Sequence, residues 1–187
     1  MGTVEVRNLA DSDLRTKVSK YMSYLLRHNP ENLQMDDKGF VRLENLLRKI
    51  NERFDVNEHF VKQIVYDSEK KRFEIVGEKI RAIYGHSTNV KISLPEDETV
   101  KLLYHGTTSE SASKILKDGL KSMRRRWVHL STTEETAKEV GKRRTPNPVV
   151  LVIDAQEARK DGIKFYKATG VVYLSKEIPP KHIKILD

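Results

Sequence analysis

Arg72-Phe73-Glu74-Ile75-Val76-Gly77-Glu78-Lys79-Ile80-Arg81-Ala82-Ile83-Tyr84 is the stretch whose reading decides the fold of the first half of this chain. It contains two short extended runs, Arg72 to Val76 and Lys79 to Tyr84, with Gly77-Glu78 as the turn between them, and so predicts a β-hairpin. Three helices are predicted upstream. Val18, Tyr21, Met22, Leu25 and Leu26 share one helical face, and Pro30 stops that helix. Asp36-Asp37-Lys38-Gly39 reads as a turn into Phe40-Val41, and Leu43, Leu46, Leu47 and Ile50 mark the second helix. Asp55 and Glu58 have capping-box spacing and open a third, carrying Phe60, Val61, Ile64 and Val65. Three helices followed by a hairpin form a winged-helix layout. That layout binds nucleic acid in many proteins and serves as a plain interaction module in others, so by itself it assigns no function.

Downstream, Ser93-Leu94-Pro95-Glu96-Asp97-Glu98 is acidic and broken by proline, which predicts a linker and two lobes, residues 1–93 and 94–187. The second lobe alternates strand and helix signals. Lys101 to Tyr104 is extended, Ser111 to Asp118 is helical and closed by Gly119, and Trp127 to Leu130 is extended. Thr132 with Glu135 caps another helix, and Val149 to Ile153 and Val171 to Leu174 add further strands. The fold class expected is α+β, with antiparallel sheets in the second lobe.

The chain has 187 residues, 37% of them hydrophobic, enough to bury a real core. Its 35 Lys and Arg against 27 Asp and Glu leave a net charge of +8. Such a balance suits a polyanionic partner, although a solvated charged surface has the same composition. With no cysteine, disulfides and thiolate chemistry are excluded. No basic segment followed by an apolar run opens the chain, and no apolar run reaches membrane-spanning length. The expectation is a soluble, cytoplasmic protein with no membrane association and no obligate protein partner.

Arg27 and His28 fall at the exposed end of the first helix, in Leu25-Leu26-Arg27-His28-Asn29-Pro30. Arg72, preceded by Lys71, and Arg125 lie far downstream, so these groups must converge if they serve one ligand. That ligand would be an anion, because arginine offers a fixed fork of donors matched to phosphate or carboxylate oxygens and stays charged at physiological pH. His105-Gly106-Thr107-Thr108 follows one predicted strand and precedes a serine-rich helix start, where glycine admits a ligand to the backbone and unpaired amides suit a pyrophosphate. An ordinary strand-to-helix turn carries the same residues. His129, in a strand with Leu130 and Ser131, reads equally as a packed histidine, and Arg124-Arg125-Arg126 as a solvated run. Arg81 and Gly85-His86-Ser87 could hold phosphate or ribose at the end of the hairpin or make a simple exit turn. His86, His105 and His129 lack the close paired spacing of zinc motifs, so no metal is expected.

Taken in order, Leu25-Leu26-Arg27-His28, Gly39-Phe40-Val41, Lys71-Arg72-Phe73, Arg81-Ala82 with Gly85-His86-Ser87, His105-Gly106-Thr107, Arg125 to Ser131 and Val172-Tyr173-Leu174-Ser175 resemble the RNA 2′-phosphotransferase family, Tpt1/KptA, over residues 18 to 183. The resemblance implies an N-terminal winged-helix RNA-binding lobe and a C-terminal ADP-ribosyltransferase-like lobe that binds NAD. It also implies an RNA substrate bearing an internal 2′-phosphate, such as a tRNA splice junction, with NAD⁺ consumed as co-substrate and no metal. The family's Arg-His-Arg-Arg tetrad falls on Arg27, His28, Arg72 and Arg125 as catalytic residues. His105, Gly106, Thr107, His129, Leu130 and Ser131 would face NAD, and Lys71, Arg81, His86 and Ser87 the RNA.

Two steps are implied. The RNA phosphate attacks the nicotinamide-ribose C1″ and expels nicotinamide, and the ribose 2″-OH then attacks phosphorus. The products are 2′-OH RNA and ADP-ribose 1″,2″-cyclic phosphate. Many relatives carry Gln before Gly-His-Ser where this chain has Tyr84, so an amide contact to RNA there is replaced, with base stacking as the expected substitute. Two other readings stay open. One is an ADP-ribosyltransferase acting on terminal phosphates of nucleic acids, and the other a non-catalytic module that binds RNA and NAD.

Overall fold

A computed structural model describes residues 2–68, 71–123 and 125–186, with the backbone alone for residues 2–11. The chain divides into two compact units, Met1–Ile92 and Ser93–Asp187. Both are mixed helix and sheet, and all described strand pairs are antiparallel.

In the first unit, helix α1 spans Gly2–Arg27, strand β1 Val41–Arg42, α2 Leu43–Asn51, α3 Glu58–Tyr66, β2 Phe73–Val76 and β3 Lys79–Ala82. The apolar face read from the sequence is the buried one: Val18, Met22, Leu25 and Leu26 of α1 are fully buried against Leu46, Ile50, Val61, Phe73 and Ile80. Each such large side chain contributes about 1.5–3 kcal/mol relative to exposure. The helix also extends well before that face, through a polar stretch in which Asp13 and Lys17 pair one turn apart at 2.6 Å. It ends as expected ahead of Pro30, with the amides of His28 and Asn29 both donating to the Tyr24 carbonyl at 3.0 Å.

The hairpin turns at Gly77-Glu78, Gly77 taking φ +58. Its register sets Phe73 opposite Ala82 and Ile75 opposite Ile80, and β1 adds to the β3 edge to give the order β1-β3-β2. One cap differs from expectation. Asn57, not Asp55, caps α3, its side chain accepting from the Phe60 amide at 2.9 Å. An N-cap oxygen reaches the amide two or three residues on, and Asp55 lies too early for the helix that forms.

In the second unit, β4 spans Leu102–Thr107, α4 Ser109–Asp118, β5 Val128–Ser131, α5 Glu134–Gly141, β6 Val149–Asp154, α6 Ala155–Lys160, β7 Tyr166–Lys167, β8 Val172–Ser175 and β9 Ile183–Ile185, with a 3₁₀ turn at Pro180–His182 before β9. The strands form one sheet in the order β7-β8-β5-β4-β6-β9. Its core holds Leu103, Leu130, Leu151, Ile153, Phe165 and Ile178. Thr108 caps α4 and Thr133 caps α5, one residue after the Thr132 expected from spacing. Gly119 closes α4 at φ +84, with no room for a Cβ beside the Ile178 carbonyl.

The stretch expected to be a linker is bound into this unit. The Asp97 amide donates to Phe165 O at 2.8 Å and the Lys167 amide to Pro95 O at 3.0 Å. The Asp97 carboxylate accepts from Tyr173 Oη at 2.6 Å, from Thr99 Oγ1 at 2.7 Å, and from the Thr99 and Val100 amides. These donors, Tyr173 first, hold the Asp97 carboxyl well below the usual range. Burial and the Asp97 charge push the Tyr173 phenol up to about 12. Among the described residues no helix is long and apolar enough to cross a membrane, and no group of three or more His, Asp or Glu could hold a metal ion.

Candidate active site

In the first unit the end of α1, the residues just before β2 and the turn after β3 are tied together through Arg27. The Arg72 carbonyl accepts from the Ile83 amide at 3.0 Å and from Arg27 Nη2 at 3.4 Å, so the Arg27 guanidinium reaches the main chain of the hairpin at Arg72. Arg27 is 8% exposed, its guanidinium carbon 4.9 Å from the Tyr84 ring centroid and 5.7 Å from that of Phe73. The turn is tied to the helix end: the Ser87 amide donates to Arg27 O at 2.9 Å, and His28 Nδ1 lies 3.0 Å from Ser87 Oγ. His28 itself is exposed.

Arg72 is arranged differently. Its Nη1 donates to Ser19 Oγ at 3.4 Å, while its Nε is buried with no hydrogen-bond partner among the described residues. No described carboxylate lies within ion-pair distance of Arg72. A buried, unsatisfied N–H of a charged group is costly and is offset when an anion supplies the missing acceptor. Sequence reading missed Ser19, which sits on the same helix as Arg27 but carries no local signal of a role.

The other first-unit candidates divide. Lys71 is exposed and has φ +36, a left-handed backbone immediately before Arg72. Arg81 is engaged within the hairpin, with Nε on Glu74 Oε1 at 2.5 Å, Nη1 on Lys38 O at 3.1 Å and its guanidinium 4.4 Å from the Phe40 ring centroid. His86 is 5% exposed and packs beside Gly39 and Val90, whereas Ser87 is exposed. Tyr84, expected to stack on a base, is 8% exposed and gives its ring to Arg27 instead.

In the second unit, β4 carries His105, Gly106 and Thr107 as strand rather than turn, and the helix begins after Thr108. His105 Nδ1 lies 3.0 Å from the His129 carbonyl. A carbonyl only accepts, so Nδ1 carries the proton and Nε2 presents a lone pair. Burial, aided by the nearby Arg144 charge, outweighs that hydrogen bond and lowers the His105 pKa, so the ring is neutral near pH 7. His129 in turn donates from Nδ1 to Trp127 O at 3.0 Å. Ser131 and Thr107 are buried, and the Leu130 side chain belongs to the core, leaving its backbone alone for any ligand.

Gly106 is required by packing. A Cβ there would lie 1.8 Å from Ala137 O and 2.6 Å from Ala137 C, inside the backbone of α5. Gly141 of α5 stands opposite, so two glycines let helix and strand backbones meet. The expectation that this glycine admits a ligand misses that reason, because the partner comes from 31 positions later in the chain. Arg125 and Arg126 are exposed before β5, and Arg124 lies outside the described residues. Trp127 packs edge-on to Tyr166 at 5.2 Å, with Lys176 Nζ 4.2 Å from its ring centroid.

Residues 13–177 match the family model described as RNA 2′-phosphotransferase, Tpt1 / KptA family. A probable RNA 2′-phosphotransferase 1 of Archaeoglobus fulgidus is 46% identical over 90% of this chain and 79% of its own length. A probable RNA 2′-phosphotransferase of Pyrococcus furiosus is 45% identical over 96% of this chain and 100% of its own length. One from Rhizobium rhizogenes is 38% identical over 94% of this chain and 96% of its own. With a family model spanning most of its length, and relatives this similar over 79–100% of theirs, the chain belongs to the RNA 2′-phosphotransferase family.

Proposed function

We propose that this protein is an NAD⁺-dependent RNA 2′-phosphotransferase that removes an internal 2′-phosphate, such as one left at a tRNA splice junction, through an ADP-ribosylated RNA intermediate. The observation that carries the reading is the set of first-unit donors: Arg27 buried against two aromatic rings, His28 linked to Ser87, and Arg72 with a buried Nε that has no hydrogen-bond partner among the described residues. A phosphate monoester matches it in charge and geometry. Three helices followed by a hairpin support a winged-helix RNA-binding lobe. A six-stranded antiparallel sheet with helices, carrying His105 and His129, supports an ADP-ribosyltransferase-like lobe. The charge of +8 favours a polyanionic substrate, and a cytoplasmic setting is part of the proposal.

The phosphate monoester loses its second proton at about pH 6, so near neutrality it is an anionic nucleophile with no protein base. Arg27, His28 and Arg72 bind and orient it. NAD⁺ supplies an electrophilic ribose carbon with nicotinamide as its leaving group, and water exclusion at that carbon prevents hydrolysis. The neutral Nε2 of His105 is suited to accept from a hydroxyl of that co-substrate. Exposed Arg125 is assigned to the charge that gathers on the phosphoryl oxygens in the second step. Lys71 and Ser87, both exposed, are assigned to the RNA strand, and the backbone from His129 to Ser131 to the co-substrate.

The test is stoichiometry. A short RNA bearing one internal 2′-phosphate should yield one nicotinamide per 2′-OH RNA formed, and only with NAD⁺ present. Phosphate loss without NAD⁺ would refute the proposal. Stable ADP-ribosylated product on a terminal phosphate would favour the terminal-phosphate transferase, and RNA binding with no reaction would favour the non-catalytic module.

A further inference from the structure

We infer that Tyr84 is a positioning residue: its ring, together with that of Phe73, fixes the Arg27 guanidinium against the Gly85 turn and so sets the affinity for a 2′-phosphate monoester. The inference rests on the proposed function, in which Arg27 contacts that phosphate. Arginine has a long side chain with much rotamer freedom, and gripping an anion costs that freedom unless the chain is already ordered. Here the guanidinium carbon lies 4.9 Å from the Tyr84 centroid and 5.7 Å from the Phe73 centroid, within the range in which an aromatic face attracts a cation. Such contacts hold the guanidinium in place while keeping its positive charge, which is what draws an oxyanion.

Gly85 supplies the third side of the holder. Its φ is +89, and a Cβ there would come within 3.4 Å of Arg27 Nη1 and 3.5 Å of Cδ and Cζ. A Cβ would thus only reach ordinary van der Waals contact with the guanidinium, so the turn lies directly beside Arg27, and it is the positive φ rather than lack of space that favours glycine there. Burial of both Tyr84 and Arg27 to 8% exposure strengthens the contact, since neither group is solvated in competition with it. The hydroxyl of Tyr84 is not part of the argument, so phenylalanine should serve as well.

The test uses the full chain without NAD⁺ and two RNAs of one sequence, with and without a single internal 2′-phosphate, measuring the ratio of their Kd values. Tyr84→Leu is expected to cut the preference for the phosphorylated RNA about tenfold. Tyr84→Phe should retain it, and Tyr84→Leu should change nothing further in an Arg27→Ala background, which a merely structural role would not reproduce. Tyr84→Met, which also fills the site without a ring, should behave as Tyr84→Leu if either variant proves poorly folded. An unchanged preference in Tyr84→Leu and Tyr84→Met overturns the inference, as does equal weakening of both RNAs, which would mark a base contact. A wild-type chain with no preference overturns the assignment of Arg27 itself and this inference with it, a result distinct from a wild-type preference that Tyr84→Leu leaves intact.

Discussion

Gly106→Ala separates the two reasons a glycine can occupy the centre of the His105-Gly106-Thr107 strand. The new methyl would stand 1.8 Å from Ala137 O, and an ordinary C···O contact begins near about 3.3 Å, so α5 would have to retreat by roughly 1.5 Å. The obstacle is helix backbone, and Ala137 and Gly141 are both buried, so no side chain can swing aside. Overpacking of this kind costs about 1–3 kcal/mol or more, and the gain from replacing a flexible glycine in a strand returns about 0.5–1 kcal/mol. A net loss of about 2 kcal/mol lowers the Tm of a unit of roughly a hundred residues by about 8–16 °C. The chain has a single tryptophan, Trp127, and it lies in the second unit, so its fluorescence during heating reports that unit alone. An unchanged Trp127 transition accompanied by lost NAD⁺ affinity would refute the packing argument and restore glycine's role as a ligand approach.

Asp97 has a folded pKa below its unfolded value, so its stabilisation is present above about pH 4 and is lost as pH falls toward the folded pKa. Tyr173→Phe, which removes the 2.6 Å donor, should lower the second unit's Tm at pH 7, and the deficit should shrink as pH falls below about 4. His105 is likewise depressed, by burial, so the second unit should lose stability as pH falls below about 6.5. His105→Asn should flatten that slope in Tm against pH. Arg72→Lys should weaken binding of 2′-phosphorylated RNA nearly as much as Arg72→Met, because a point charge does not restore the guanidinium fork; full rescue by lysine would contradict the geometric reading. Arg125→Ala should slow the second step more than the first and accumulate ADP-ribosylated RNA in a single turnover, and equal slowing of both steps would remove that assignment.

The α1 face, the Gly77-Glu78 turn and the β2–β3 hairpin were legible because each is set by neighbours within a few residues. So was the Arg27-His28 helix end, since Pro30 forbids continuation. Caps slipped by one or two residues at Asn57 and Thr133 because several side chains nearby can accept the same amides, and helix length, set by packing, chooses among them. The short strands Tyr166–Lys167 and Ile183–Ile185 and the six-residue α6 are too brief to show a period.

What the sequence could not show are relations between distant residues. Asp97 looks like part of an acidic linker until Tyr173, 76 positions away, donates to it. Tyr84 reads as a residue that stacks on a base until Arg27 is found against its ring, and Arg81, flagged for RNA, is held by Glu74 across the hairpin. Gly106 is a glycine because of Ala137. In each case the partner that explains the residue lies outside the window that a local signal covers.

The most direct measurement follows the phosphorus atom. A short RNA carrying one ³²P-labelled internal 2′-phosphate is incubated with the full chain and NAD⁺, and the labelled products are resolved. The label is expected to leave the RNA as ADP-ribose 1″,2″-cyclic phosphate, passing through ADP-ribosylated RNA at early times. Label released as inorganic phosphate, or retained on RNA while nicotinamide is produced, would contradict transfer of the phosphate to NAD⁺.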